Sequence, residues 1–147
     1  MADLGYVELL AAGDNYLAVF AVARPNGTVQ ASVVNAGVLA DPVDGAPGVA
    51  AVVAGGSRKL ELLRRVGRAT LVFRTGWEWA SVSGPVRLVG PDDGTEVGLD
   101  VPETIRSVFR AAGGTHEDWD EFDRVMAAER RCAVFVEAER ITSNAGS

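Results

Sequence analysis

The tetrapeptide Pro25-Asn26-Gly27-Thr28 lies between two valine-rich runs and constrains the fold of this chain more than any other feature. Asn-Gly readily takes the positive φ angles of a tight hairpin turn, so the flanking runs are expected to pair as antiparallel neighbours. The first run, Tyr16 to Arg24, is almost continuously apolar and reads as a buried strand. The second, Val29 to Leu39, sets Gln30, Ser32 and Asn35 among its valines. With one hairpin fixed, similar runs further along have a sheet edge to join.

Those runs follow in a regular succession. Residues 3–12 form a short amphipathic helix, with Leu4, Val7 and Leu10 on one face and Gly13 as its stop. Asp41 to Gly48 is a loop, and a third strand, Val49 to Ala54, leads into Gly55-Gly56. A helix after Ser57 places Leu60, Leu62, Leu63 and Val66 on its apolar side, carries Arg64 and Arg65 in its last turn, and ends at Gly67. Arg68 to Thr75 is the fourth strand, and Gly76 opens a fifth that runs from Trp77 towards Val89. After the polar turn Pro91-Asp92-Asp93-Gly94, the capping box Asp100-Val101-Pro102-Glu103 starts a helix that stops at Gly113-Gly114. Thr115 is expected to cap a further helix, with Glu117, Asp118 and Asp120 early in it and Trp119, Phe122, Val125 and Met126 on its apolar face. Cys132 to Ile141 reads as the last strand, and the residues after Thr142 as a frayed tail.

Six strands with short turns and a few helices describe an α+β domain dominated by an antiparallel sheet. Closure into a small barrel would remove its exposed edges. A length of 147 residues suits a single domain with a real core. No apolar run approaches the roughly 20 residues of a membrane span, and the N-terminus lacks the pattern of a signal peptide. The lone Cys132 reads as a buried apolar filler in a cytoplasmic protein. A net charge of −6 speaks against a nonspecific nucleic-acid binder.

Most familiar catalytic constellations are missing. One histidine and one cysteine leave no ligand set for zinc, and neither a nucleophile elbow nor a phosphate-binding glycine loop is found. His116 reads as a surface or capping residue, and Asp118, Asp120, Glu121 and Asp123 as a solvated helical face. Two features remain. In Ser57-Arg58-Lys59 a good N-cap residue is followed by two cations, the wrong sign for the positive end of a helix dipole. Either a solvated basic helix start or a bound anion explains that choice. Trp77 and Trp79 fall on one face of the fifth strand with Ser81 and Ser83, a pattern that suits a core, a subunit interface or a stacking surface for a planar ring.

The order of these elements, with the Asn-Gly turn, the Ser-Arg-Lys helix and the Gly76-Trp77-x-Trp79 strand, resembles the flavin/deazaflavin oxidoreductase superfamily, the split-barrel relatives of pyridoxamine 5′-phosphate oxidase. More narrowly, Ser57-Arg58-Lys59, Leu63-Arg64-Arg65, Arg68-Ala69, Gly76-Trp77 and His116-x-Asp118-Trp119-Asp120 look like its actinobacterial branch, which uses the deazaflavin coenzyme F420. The resemblance spans about Leu4 to Ile141. It implies a six-stranded antiparallel split β-barrel with flanking helices, assembled as a homodimer with cofactor sites at the interface. It further implies a cofactor phosphate on Ser57, Arg58 and Lys59, with the tricyclic ring near Ser32, Val33, Val34 and Asn35. Trp77 and Trp79 would line the site or the interface, and the Trp119 helix would help wall the pocket. Leu62 departs from relatives that carry a polar Asn there against the cofactor tail. The activity implied is hydride transfer between F420 and a small electron-poor substrate. FMN-dependent chemistry on the same fold, or non-catalytic carriage of F420 or a flavin, are the alternatives. No catalytic side chain or metal ligand is assigned.

Overall fold

The computed structural model describes residues 3–94 and 98–145. It contains seven strands, β1 (Leu17–Ala23), β2 (Val29–Val38), β3 (Gly48–Val53), β4 (Arg68–Thr75), β5 (Glu78–Val89), β6 (Cys132–Glu137) and β7 (Arg140–Ser143). Four helices accompany them, α1 (Leu4–Gly13), α2 (Arg58–Val66), α3 (Val101–Ala111) and α4 (Trp119–Ala128). All strand pairs are antiparallel. The order β4-β1-β2-β3-β6-β5 is closed by pairing between β4 and β5, which makes a six-stranded barrel.

Two long strands change barrel neighbour along their length, and that splits the barrel. In β2, residues 29–35 pair with β1, whereas Ala36 to Val38 pair with β3. In β5, Glu78 to Pro85 pair with β4, while Val86 to Val89 pair with β6. The final strand expected over Cys132–Ile141 is two strands on one edge of β5. Val86 faces Val136 but Ser83 faces Arg140, so one extra residue is inserted between the two ladders. Such an insertion bends the edge. Of the tail expected after Thr142, residues 146–147 lie outside the described residues and 143–145 within them. Ser143 ends β7, Asn144 donates from Nδ2 to the carbonyl of Trp77, and its Oδ1 accepts from the Trp79 amide.

The barrel interior is filled by Phe20, Val22, Leu71, Phe73, Val82 and Val134, with α1 contributing Val7 and Leu10, and α2 Leu60 and Leu63. A second core, on the other side of β3 and β6, packs Ala50 and Phe135 against Ile105 and Val108 of α3 and Phe122 of α4. Helices α3 and α4 are tied together at the surface by Arg106 and Asp123, joined through Nε and Oδ1 at 2.9 Å. Phe109, Trp119 and Phe122 stack edge-on or tilted between them, and the Arg110 guanidinium lies 4.6 Å from the Trp119 ring centre.

Local signals explain the helix ends. Ser57 caps α2 by accepting from the Leu60 amide at 3.2 Å, and Gly67 closes it at φ 72°, where a side chain would be strained. Asp100 caps α3 as its box indicates. Thr115 does not cap α4; Asp118 does, accepting from Glu121 N at 3.1 Å. A carboxylate three residues later in the chain outcompetes the hydroxyl, because it meets the dipole with full negative charge. His116 turns its Nδ1 to the Asp118 amide, so it supports the cap from outside.

Cys132 is buried at the start of β6, and desolvation pushes its thiol up to about 12. The folded protein is therefore expected to resist iodoacetamide at pH 8 and to react stoichiometrically once unfolded in guanidinium; rapid alkylation of the native protein would contradict this burial. Because the folded thiol holds its proton longer than the unfolded one, this residue's stabilising contribution is complete below about pH 8.5 and declines as pH rises from there towards 12.

Candidate cofactor cavity at the start of α2

A recess of about 490 Å³ lies where β2 leaves β1 for β3. Its size falls in the range of roughly 300–1,000 Å³ that small-molecule sites occupy. Val33, Val34 and Asn35 of β2 form one wall, and Val52, Val53 and Ala54 at the end of β3 another. Ser57 and Lys59 stand at the mouth of α2, while Val108, Phe109, Ala112, Met126 and Arg131 come from the α3–α4 side.

The β2 wall offers unpaired backbone. Ala36 N donates to Tyr16 O and Arg24 N to Thr28 O, so the even-numbered residues of β2 direct their amides and carbonyls towards β1. Alternation then turns those of Val33 and Asn35 to the opposite edge. There β3 pairs from Ala36 onward, so the amide and carbonyl of Val33 lie beyond the ladder. The site therefore presents a backbone donor and acceptor at Val33 to any polar ring edge that enters it. Asn35 is steadied by its own side chain, whose Nδ2 donates to Asn15 O at 3.0 Å.

Electrostatics at the α2 end favour an anion. After Ser57 Oγ and Ser57 O take the amides of Leu60 and Glu61, those of Arg58 and Lys59 keep no partner among the described residues. Lys59 is half-buried, its Nζ 5.1 Å from the centre of the Phe20 ring, and no carboxylate lies within ion-pair distance among the described residues. Burial pulls its ammonium below the usual lysine range. A desolvated cation beside free helix amides is stabilised when an anion arrives.

The other expected site residues are dispersed. Arg58 projects away from Lys59 and lines a separate open groove with Arg24, Gln30, Leu62 and Arg65. Successive helical residues are about 100° apart, so two adjacent cations do not share one recess. Ser32 is paired with Phe20 on the barrel-facing side of β2 rather than on the cavity wall, and its Oγ is buried without a hydrogen-bond partner among the described residues. Trp77 lies outside β5, in the turn after Gly76, and is 90% exposed. Trp79 is half-buried on the outer face of β5, opposite Arg74, whereas Ala80 and Val82 face the core. Helix α4 does wall the cavity, but through Met126; Trp119 packs behind it on Phe109. Residues Val108, Phe109, Ala112, Met126 and Arg131 carry no motif, and only the docking of α3 and α4 brings them here.

No protein-family model matches the sequence. Solved structures do. A pyridoxamine 5′-phosphate oxidase-related, FMN-binding protein of Nostoc punctiforme superposes with a TM-score of 0.63 over 97% of this chain and 84% of that one, at 11% identity. The fold is the FMN-binding split barrel. A conserved hypothetical protein of Mycobacterium tuberculosis shares the split barrel with a TM-score of 0.68 and 18% identity, over 97% of this chain and 84% of that one. PhzG of Burkholderia lata, solved with tetrahydrophenazine-1-carboxylic acid, matches 92% of this chain and 75% of its own with a TM-score of 0.52 and 18% identity. At these identities the shared property is the split-barrel architecture.

Proposed function

We propose that the chain is an oxidoreductase that holds a phosphorylated flavin-type cofactor in the cavity at the start of α2. The observation that carries this reading is Lys59, a half-buried cation with no carboxylate partner among the described residues, beside unpartnered helix amides. Ser57, Lys59 and the first amides of α2 would bind the phosphate, and Arg58 would add long-range attraction from the adjoining groove. The amide and carbonyl of Val33, beyond the β2–β3 ladder, would hold the polar edge of the ring, with Val34, Val52 and Val108 packing on it. When bound in reduced form, the cofactor supplies a hydride to an electron-poor organic substrate. The chain's part is placement, charge and exclusion of water. The Ser-Arg-Lys and Gly-Trp motifs favour F420; the likeness to the FMN-binding Nostoc protein favours FMN.

A homodimer belongs to the same proposal. Ser81, Val72, Val19 and Val33 form a row across four strands on the outer face of the sheet, and Val19 and Val33 are exposed. Val33 is also a cavity residue, so a second copy covering this face would close the cavity and shield the ring.

Titration of the purified protein with F420 and with FMN, followed by cofactor fluorescence, tests the reading. Micromolar binding of one of them, with oxidation of the reduced form by a member of a panel of enones, quinones and nitroaromatics, is expected. Tight binding with no turnover on any of them would indicate a carrier, and no binding of either would overturn the proposal. Since the ammonium must be charged to hold phosphate and its pKa is lowered, affinity should fall as pH rises, beginning below the normal lysine value of 10.5.

A further inference from the structure

The cavity contains a second cation on a different element. Arg131 follows α4 and stands one residue before Cys132, which pairs with Val53, so its backbone lies beside Ala54, three residues before the Ser57 cap. Its Nε donates to Glu129 Oε1 at 2.8 Å, which fixes the base of the guanidinium. Its two terminal nitrogens have no hydrogen-bond partner among the described residues. No carboxylate lines this cavity among the described residues; the charged groups on its wall are Lys59 and Arg131 alone. Apart from Glu129, which holds its Nε, Arg131 shares the cavity with the apolar side chains of Met126, Val108 and Phe109.

We propose that Arg131 selects a carboxylate-bearing substrate for this cavity. The inference rests on the reading of the cavity as a redox site. Lys59 is held by α2 and is the cation next to the helix amides, which makes it the phosphate ligand. Arg131 is on another wall, where a planar fork can take a carboxylate through two parallel bonds. Phe109 and Met126 then receive the substrate's apolar body, and Met126 can adjust to its outline. The substrate class is a small acid with an unsaturated or aromatic body. Arg131 acts by positioning, since nothing places it against a reacting atom.

The test uses 4-nitrobenzoate and its uncharged methyl ester, with binding to the apo protein and to the cofactor-loaded protein measured by calorimetry. The wild type is expected to prefer the acid by about tenfold, the size of one charge-assisted contact. Arg131→Gln should bind acid and ester equally, Arg131→Lys should retain part of the preference, and both variants should bind FMN and F420 within twofold of wild type. Equal binding of acid and ester by the wild type, or an undiminished preference in Arg131→Gln, would overturn the proposal. So would a tenfold loss of cofactor affinity in Arg131→Gln, which would make the residue part of the cofactor site. Because the preference is also read without cofactor, its failure is distinguishable from failure of the cofactor assignment. Arg131→Lys keeps charge and length, so it reports on the contact even if the glutamine variant folds poorly.

Discussion

Lys59→Ala is expected to weaken cofactor binding by about ten- to a hundredfold, the loss of a charge-assisted hydrogen bond of roughly 1.5–3 kcal/mol. The magnitude is at the upper end for a single lysine because the ammonium is half-buried and its charge is poorly screened. The apo protein should lose little, since removing Lys59 also removes a desolvated cation, at the expense of one contact with the Phe20 ring. Binding therefore separates from stability. Cofactor at a hundred times its Kd adds about 2.7 kcal/mol to the wild type. For a protein of this length that amounts to a rise of roughly 5–10 °C in Tm. Lys59→Ala should show about one-sixth to one-half of that shift at the same concentration. Arg58→Ala, acting from the neighbouring groove, should retain most of it. Equal shifts in wild type and Lys59→Ala would remove Lys59 from the site.

The second large effect is expected at Gly37→Ala. Gly37 pairs with Ala50 in the β2–β3 ladder, and α3 crosses directly over it. A methyl group there would overlap the carbonyl of Ala111, with Ala112 N only 2.9 Å away. These are backbone atoms and cannot rotate aside, so either α3 lifts or β2 bends. Overpacking of this kind costs about 3 kcal/mol. The corresponding fall in Tm is roughly 6–12 °C. The same helix supplies Val108, Phe109 and Ala112 to the cavity, so cofactor affinity should fall with stability. A melting point within a degree or two of wild type would mean that α3 is not pressed on β2 as described.

These two residues mark what sequence reading can and cannot reach here. The hairpin at Asn26-Gly27, the Ser57 cap, the Gly67 stop and the Asp100 box were legible because each is set by chemistry within four residues. Closure into a split barrel was legible from the order of the strands. The break between β6 and β7 was not, because the run from Cys132 to Ile141 has no glycine or proline, and only the register on β5 imposes the extra residue. Asp118, with its full negative charge, caps α4 in place of Thr115, and the start of the helix moves three residues along the chain. Trp77 was placed on a strand face by periodicity, but Gly76 at φ 60° makes the turn one residue longer and carries the ring into solvent.

The cavity itself was half legible. Lys59 and the β2 segment are separated by more than twenty residues, yet both carry local signals: a cation at the wrong helix end, and polar groups spaced through a valine strand. The opposing wall has none. Val108, Phe109 and Met126 look like ordinary helix core, and Arg131 like one of several surface cations, until the packing of α3 and α4 on β3 and β6 turns them inward. Arg58 shows the converse error of sequence proximity, since being adjacent to Lys59 in a helix sends it to another groove.

A crystal structure of the protein soaked with FMN or F420 tests most directly whether the start of α2 and the open edge of β2 together hold a phosphorylated tricyclic cofactor. Phosphate oxygens are expected within hydrogen-bond distance of Lys59 Nζ and the first amides of α2, with the polar edge of the ring against the backbone of Val33. Phosphate seated in the groove of Arg24, Arg58 and Arg65, with the cavity beside Lys59 left to solvent, would contradict this arrangement.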